Sequence, residues 1–232
     1  MKKINWTTVI VIILIISFLI GYGELFAPKA QNNLSALCQG KALQIKDLKE
    51  IEPLGAATST ILVEVYSDYQ CPACAKYYYE SIKPLVQDYV ATNKVKLLFH
   101  DLAFEGNRSQ WAAEGAYCAN DQGKFWDYHD ALLSLRYETN STEFYEKANL
   151  ENLAQSLGLD ECEFYFCLES GKYLNLVKNN TEEALKTITG TPATFLNGSL
   201  LANEKGENLG AVSYETLKTK IDTLLGSQNN NQ

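Results

Sequence analysis

The chain of 232 residues predicts an α/β fold that carries a block of helices inside it. Three observations lead there. First, a βαβ unit is legible: Ile61 to Tyr66 is a short apolar run with β-branched residues, Ala75 to Val90 alternates apolar and polar residues at helical spacing, and Val95 to Phe99 is a second strand, ending at His100-Asp101. Second, residues 108–187 contain helical stretches and no convincing strand. Third, strand character returns at Ala193 to Leu196, which turns at Asn197-Gly198, a good hairpin dipeptide, into Ser199 to Ala202.

A helix between the first two strands makes them parallel, with a right-handed crossover. Pro84 lies inside that helix and predicts a kink, since proline removes a hydrogen bond and crowds the preceding turn. The helical block divides at roughly 109–120, 124–136, 150–157, 162–168 and 172–187, and a final amphipathic helix is expected at about Ser213 to Leu225. The organisation that follows is a first α/β part at 58–107, a helical insertion at 108–187, a second α/β part at 188–226, and a polar tail at 227–232 that should fray. Residues 27–57 read as a polar tether, with one short element near Ala42 to Leu48.

A formal charge of −8 argues against nucleic acid as a partner, because a phosphate backbone demands clustered Lys and Arg. Lys2 and Lys3 precede an uncharged segment, Ile4 to Gly23, whose most apolar part is Val9 to Ile20. That is an export signal. Its compact core fits a cleaved peptide, but its full length approaches the ~20 residues that span a bilayer, and it offers no A-x-A cleavage site. Residues 1–26 are therefore read as a retained membrane anchor with the N-terminus cytoplasmic. The remainder then faces an extracytoplasmic, oxidising space, at a cell surface or in a periplasm. Cys38 is a poor lipoprotein cysteine, because bulky Leu37 precedes it.

Cys71-Pro72-Ala73-Cys74 stands where the first strand runs into a helix. At the exposed first helical turn, unpaired N–H groups and the positive end of the macrodipole stabilise an anion and lower a thiol pKa. Cys71 is then the nucleophile. Cys74 lies one turn deeper on the same side, near enough to form a disulfide and shielded enough to resolve a mixed one. Pro72 suits the first helical position, where its missing N–H would be orphaned anyway. The bland readings are an inert structural bridge or half of a zinc site. Zinc would need a second ligand pair, for which Cys162 and Cys167 have a workable spacing, yet the chain holds only two histidines. Redox catalysis is preferred, with no metal and no cofactor.

The segment VEVYSDYQCPACAKYY resembles the active-site segment of the DsbA-type thiol:disulfide oxidoreductases. Further along, AAEGAYCANDQGKFWDYHDALL is similar to that family's helical insertion, CLESGKYLNLV to a later helix, and GTPATFLNG to the segment with its cis-proline. The likeness covers roughly Leu54 to Asn197. It implies a thioredoxin-like fold with an inserted helical domain, and an enzyme that introduces disulfides into reduced or unfolded exported proteins. It also implies that the Thr191-Pro192 bond is cis and faces the cysteines, with Thr191 offering its backbone to an extended peptide. A quinone-linked membrane reoxidase, DsbB-like or vitamin-K-epoxide-reductase-like, is implied as partner. So is a structural Cys118–Cys167 bridge within the insertion, which leaves Cys38 and Cys162 to pair by default or Cys38 to stay free.

Glu64 is either the acid that serves Cys74 in proton transfer, as the resemblance implies, or a satisfied hydrogen-bond partner at a strand edge; it stands one position out of the family's spacing to Cys71. Asp68 either tunes the thiolate or orders the turn, for which Asp is well suited. His100 and His129 read as packed or surface histidines. Pro72-Ala73 lacks the histidine familiar between the cysteines of the family's strongest oxidants, so a less depressed Cys71 pKa and a less oxidising couple are expected. Tyr69 is expected in an accessible apolar groove for unfolded chains. Two rival functions stay open: a reductase or isomerase on the same fold, and a non-enzymatic binding module with an inert bridge. The chain is read as a monomer, since the tether is short for a dimerisation region.

Overall fold

The computed structural model describes Cys38 and residues 47–229. The anchor reading at 1–26, most of the tether, and the last three residues of the tail lie outside the described residues. Among the described residues no helix is long and apolar enough to cross a membrane.

Four strands form one sheet in the order β2-β1-β3-β4. Strand β1 (Ile61–Ser67) is central and pairs in parallel with β2 (Val95–Asp101), from Ile61 opposite Val95 to Ser67 opposite Asp101. On its other side it runs antiparallel to β3 (Ala193–Leu196), which makes a hairpin with β4 (Ser199–Leu200). Asn197 and Gly198 both take positive φ, 49° and 78°, as the tight two-residue turn requires. The expected continuation of β4 to Ala202 is reduced to a single bridge between Ala202 and Asn208.

Alternation along β1 decides what each face carries. Ile61, Val63, Val65 and Ser67 are buried, while Leu62, Glu64 and Tyr66 are half-buried. Ile61, Val63 and Val65 pack, together with Val95 and Leu97, against Tyr77, Ile82 and Leu85 of the helix that follows β1 and against Leu217 and Ile221 of the last helix, α8 (Tyr214–Asn229). Each such apolar side chain contributes about 1.5–3 kcal/mol when fully buried.

The helix after β1 begins as α1 (Pro72–Tyr77) and runs on through a π-helical turn at Tyr78–Ile82, an α-helical turn, α2 (Lys83–Leu85), and a second π-helical turn at Val86–Val90. Pro84 is thus accommodated by widened turns on both sides, which shift the hydrogen-bond register around the missing N–H.

Between β2 and β3 lie α3 (Asn107–Asp121), α4 (Phe125–Thr139), a short 3₁₀ turn at Glu143–Tyr145, α5 (Lys147–Ser156), α6 (Glu161–Glu169) and α7 (Leu174–Ala184). Their shared core includes Ala112, Ala116, Tyr128, Leu132, Phe164 and Tyr173. Cys118 of α3 and Cys167 of α6 form a disulfide with Cα atoms 5.8 Å apart. Cys38 and Cys162 are each disulfide-bonded, so Cys38 is not a free thiol.

The end of the segment read as a tether is built into the fold. Leu54 exchanges backbone hydrogen bonds of 2.8 and 2.9 Å with Leu97, Trp126 Nε1 donates to the Glu52 carbonyl at 3.1 Å, and Lys49 Nζ donates to the Asp121 carbonyl at 2.8 Å. Gly55 permits the approach: its φ is +111°, and a Cβ there would stand 2.8 Å from the Val95 carbonyl oxygen. Polar composition hid this edge, because its bonds are made by the main chain.

Candidate active site

Cys71 caps α1 with extended backbone angles, φ −66° and ψ 118°, and Pro72 takes the first helical position. The Cys71 N–H donates to the Asp68 carbonyl at 3.1 Å, and its own carbonyl accepts from Ala75 N–H at 3.2 Å, closing the first turn. Both sulfurs of the pair are thiols. The Cys74 thiol hydrogen-bonds Cys71, and the backbone N–H groups of Cys74 and Ala73 add to it, which holds Cys71 down to about 6 against the opposing effect of burial. Burial pushes Cys74 well up, and the neighbouring Cys71 adds to the rise. One sulfur is therefore prepared as an anion and the other as a thiol.

The first turn is less open than expected. Cys71 keeps 7% of its surface and Cys74 keeps 1%. The Thr191-Pro192 bond is cis, and the Thr191 carbonyl stands 3.9 Å from Cys71 Sγ. Asn208 Nδ2 donates to the Gly190 and Pro192 carbonyls at 3.1 and 2.9 Å, which ties this corner to the chain beyond β4. Behind Cys74 lies a small, mostly apolar cavity lined by Val65, Ser67, Tyr77, Phe99 and His129 among others.

Asp68 is brought to the cysteines as a loop organiser. Its Oδ1 accepts from Gln70 N–H at 2.8 Å and Ser109 Oγ at 2.6 Å, and its Oδ2 accepts from the N–H groups of Phe104 and Glu105 at 3.0 and 3.1 Å. Burial raises its pKa, and those four donors oppose the rise. The carboxylate joins the turn before Cys71, the loop after β2 and the first turn of α3.

Glu64 is not brought to Cys74. Strand alternation turns it to the opposite face of the sheet from Ser67 and the cavity behind Cys74, where its Oε1 meets His100 Nε2 at 3.1 Å. It is a hydrogen-bond partner, on a central strand and not at an edge. Tyr69 is not a groove aromatic either: it is 2% exposed, its hydroxyl lies 2.9 Å from His129 Nδ1, and its ring packs on Phe99. A tyrosine with a buried partner for its hydroxyl has no reason to face water. His129 is buried in an aromatic setting of Tyr78, Phe99, Phe125 and Trp126, which holds its pKa down to about 3.

Sequence reasoning missed three groups that hold the active-site loop from the helical side. Arg136 Nε donates to the Gln70 carbonyl at 2.7 Å, Tyr145 Oη donates to the Tyr69 carbonyl at 2.6 Å, and Ser109 Oγ also accepts from Gln70 Nε2 at 2.9 Å. They lie 66, 76 and 39 residues from their partners in the chain, so no local spacing announces them. The zinc alternative loses its second ligand pair, since Cys167 is bound to Cys118 and Cys162 is disulfide-bonded.

Comparison with known proteins agrees with this geometry. The family model described as thioredoxin matches residues 50–223. Disulfide bond formation protein D of Bacillus subtilis (strain 168) is 26% identical over 185 residues, 74% of this chain and 76% of that protein. The crystal structure of oxidised BdbD from Bacillus subtilis is similar with a TM-score of 0.64 at 23% identity, covering 74% of this chain and 90% of that one. The thiol-disulfide exchange protein α-DsbA2 from Wolbachia pipientis gives a TM-score of 0.61 at 26% identity, over 85% of this chain and 98% of that one. With a Cys-x-x-Cys opening the helix after β1, a helical block between β2 and β3, and a match over most of its length, the chain belongs to the thioredoxin family and is a thiol:disulfide oxidoreductase of the DsbA type.

Proposed function

We propose that the protein introduces disulfides into exported polypeptides, with Cys71 as the nucleophile and Cys74 as the resolving thiol. One arrangement carries the reading: Cys71 caps α1 beside the cis Thr191-Pro192 corner, with Cys74 deeper and 1% exposed, a setting that drives the two thiols apart in acidity, Cys71 down to about 6 and Cys74 well up. A thiol of low pKa is a good leaving group and is stabilised as a thiolate, so the mixed disulfide on Cys71 is readily released and the reduced enzyme pair is favoured over the disulfide. A substrate thiolate attacks Cys71 Sγ and displaces Cys74. The second substrate thiol then attacks the substrate sulfur of the mixed disulfide, forms the substrate's own bond, and expels Cys71 as a thiolate. Two electrons pass from the substrate dithiol to the enzyme pair.

Thr191 and Pro192 form the rest of the substrate site in this reading. The Thr191 carbonyl, 3.9 Å from Cys71 Sγ, supports the placing of an extended substrate segment beside the sulfur as an added strand. Asp68 belongs to the site by shaping the loop that presents Cys71. Turnover calls for reoxidation by a quinone-linked membrane partner. The apolar run Val9 to Ile20 after Lys2 and Lys3 supports a membrane anchor at residues 1–26 with the catalytic domain outside the cytoplasm.

The reduction potential of the Cys71–Cys74 couple tests the direction. A value well above that of thioredoxin, about −270 mV, with stoichiometric oxidation of a reduced unfolded polypeptide, is expected. A thioredoxin-like value, with no net oxidation of that polypeptide, would assign a reductase instead.

A further inference from the structure

The loop after β2 is fastened to the residues that precede Cys71. Asp68 Oδ2 accepts from the N–H groups of Phe104 and Glu105 at 3.0 and 3.1 Å, and Gln70 Nε2 donates to the Glu105 carbonyl at 2.9 Å. All three bonds engage the main chain of residues 104–105, which leaves both side chains to solvent: Phe104 keeps 44% of its surface and Glu105 is exposed. Among the described residues no lysine, arginine or histidine forms an ion pair with the Glu105 carboxylate. Arg136 faces it but is buried, and spends Nε on the Gln70 carbonyl and Nη1 on Asn140 Oδ1. The other charged neighbours of Glu105 are Asp68 and Cys71 itself. An acid is thus held beside the nucleophile's loop with no cation on its solvent side.

We propose that Glu105 is a specificity-determining residue, selecting substrate polypeptides that carry a lysine or arginine beside the reacting cysteine. The inference rests on Cys71 being the sulfur that takes the substrate. Two anions pass this carboxylate in each cycle: the substrate thiolate that attacks Cys71 Sγ, and the Cys71 thiolate expelled when the substrate closes its own disulfide. Glu105 opposes both, because neighbouring like charges disfavour each other's ionised form. A basic side chain placed against Glu105 cancels that opposition as each anion forms, so the gain is made in the transition state. Lysine and arginine join an apolar stem to a cationic head, and exposed Phe104, adjacent in the loop, offers the stem an apolar surface. A substrate acid at the same position adds a further negative charge and is disfavoured.

The neighbouring charges do not duplicate this role. Lys76 of α1 stands 3.9 Å from Glu80, Glu64 is on the opposite face of the sheet with His100, and Asp68 is buried and held by four donors. The Glu105 carboxyl carries the mark of its surroundings: its pKa is raised, first by partial burial and then by Asp68 and Cys71, against the opposing effect of Arg136. What Cys71 does to Glu105, Glu105 does to Cys71, since the interaction between two charges is mutual.

The test follows reduction of the oxidised full-length protein, in stopped flow, by synthetic dithiol peptides whose cysteines are both flanked by lysine, by glutamine or by glutamate. Flanking charge also alters a peptide thiol's own reactivity, so the lysine-to-glutamate rate ratio is compared between wild type, Glu105→Gln and Glu105→Lys. The wild-type ratio should exceed that of Glu105→Gln by about two- to five-fold, Glu105→Lys should lower it further, and high salt should shrink the difference. The glutamine peptide should fall between the other two in wild type. Both variants keep the main-chain bonds of the loop, so a folding defect does not mask the result. Equal ratios in all three proteins would overturn the proposal. In that event the quenched mixed disulfide would still map to Cys71, whereas failure of the nucleophile reading would show as peptide on Cys74 whatever its flanking charge.

Discussion

Ser109 Oγ donates a 2.6 Å hydrogen bond to Asp68 Oδ1, joining the first turn of the helical block to the loop that presents Cys71. The active-site loop is thereby gripped from the helical side, with Arg136 and Tyr145 taking the next two carbonyls. Removing the hydroxyl in Ser109→Ala should cost about 1–2 kcal/mol, and removing the carboxylate in Asp68→Ala, which strands four donors, about 2–4 kcal/mol. Urea unfolding measures both. An Asp68→Ala protein as stable as wild type would mean that the loop is held without this carboxylate.

The acidity of Cys71 depends first on its partner. Thiolate absorbance in the reduced protein should rise with a midpoint near pH 6, and alkylation at pH 7 should mark Cys71 and spare Cys74. Cys74→Ala removes the largest stabilising contact, so the midpoint should move upward, towards an ordinary thiol. A midpoint unchanged in Cys74→Ala would assign the effect to the helix N-terminus alone.

The Cys118–Cys167 disulfide spans a sequence separation of 49 within the helical block. Replacing both cysteines by alanine should cost about 2–4 kcal/mol through the freed unfolded chain. Because the bridge is remote in chain and partners from Cys71, the Cys71 thiolate midpoint should stay in place. Calorimetry and thiolate absorbance on one preparation separate the two effects.

Two buried groups set opposite pH trends. Burial holds His129 down to about 3 from 6.5, so the unfolded chain binds the extra proton between these values. Stability present at neutral pH is therefore lost as pH falls through that window. Glu114, whose Oε2 is buried without a partner, is raised to about 7 from 4.5 by burial. Its contribution is present below pH 4.5 and is lost as pH rises to about 7. Glu114→Gln should thus exceed wild type in stability by about 1–3 kcal/mol at pH 8 and match it near pH 4.5. His129→Leu should flatten the acid limb of the stability curve. Urea titrations at four or five pH values check both slopes.

What the sequence made legible follows local rules. β1, the start of α1 at Pro72, and the Asn197-Gly198 hairpin all declare themselves through apolar runs, a helix-opening proline and a turn dipeptide. The face of Glu64 did not, because β1 is a central strand with apolar residues on both sides and its spacing alone fixes no direction. Residues 49–54 looked like a tether since main-chain pairing to Leu97 leaves no compositional mark. Ser109, Arg136 and Tyr145 reach the cysteine loop only through the packing of the helical block.

The most direct measurement is mixed-disulfide trapping with an unfolded polypeptide carrying a single reduced cysteine, comparing Cys74→Ala with Cys71→Ala after activation of the single remaining thiol as a disulfide with thionitrobenzoate. The account predicts rapid, persistent trapping on Cys71 in Cys74→Ala and none above background in Cys71→Ala. Equal trapping through Cys74 would contradict it.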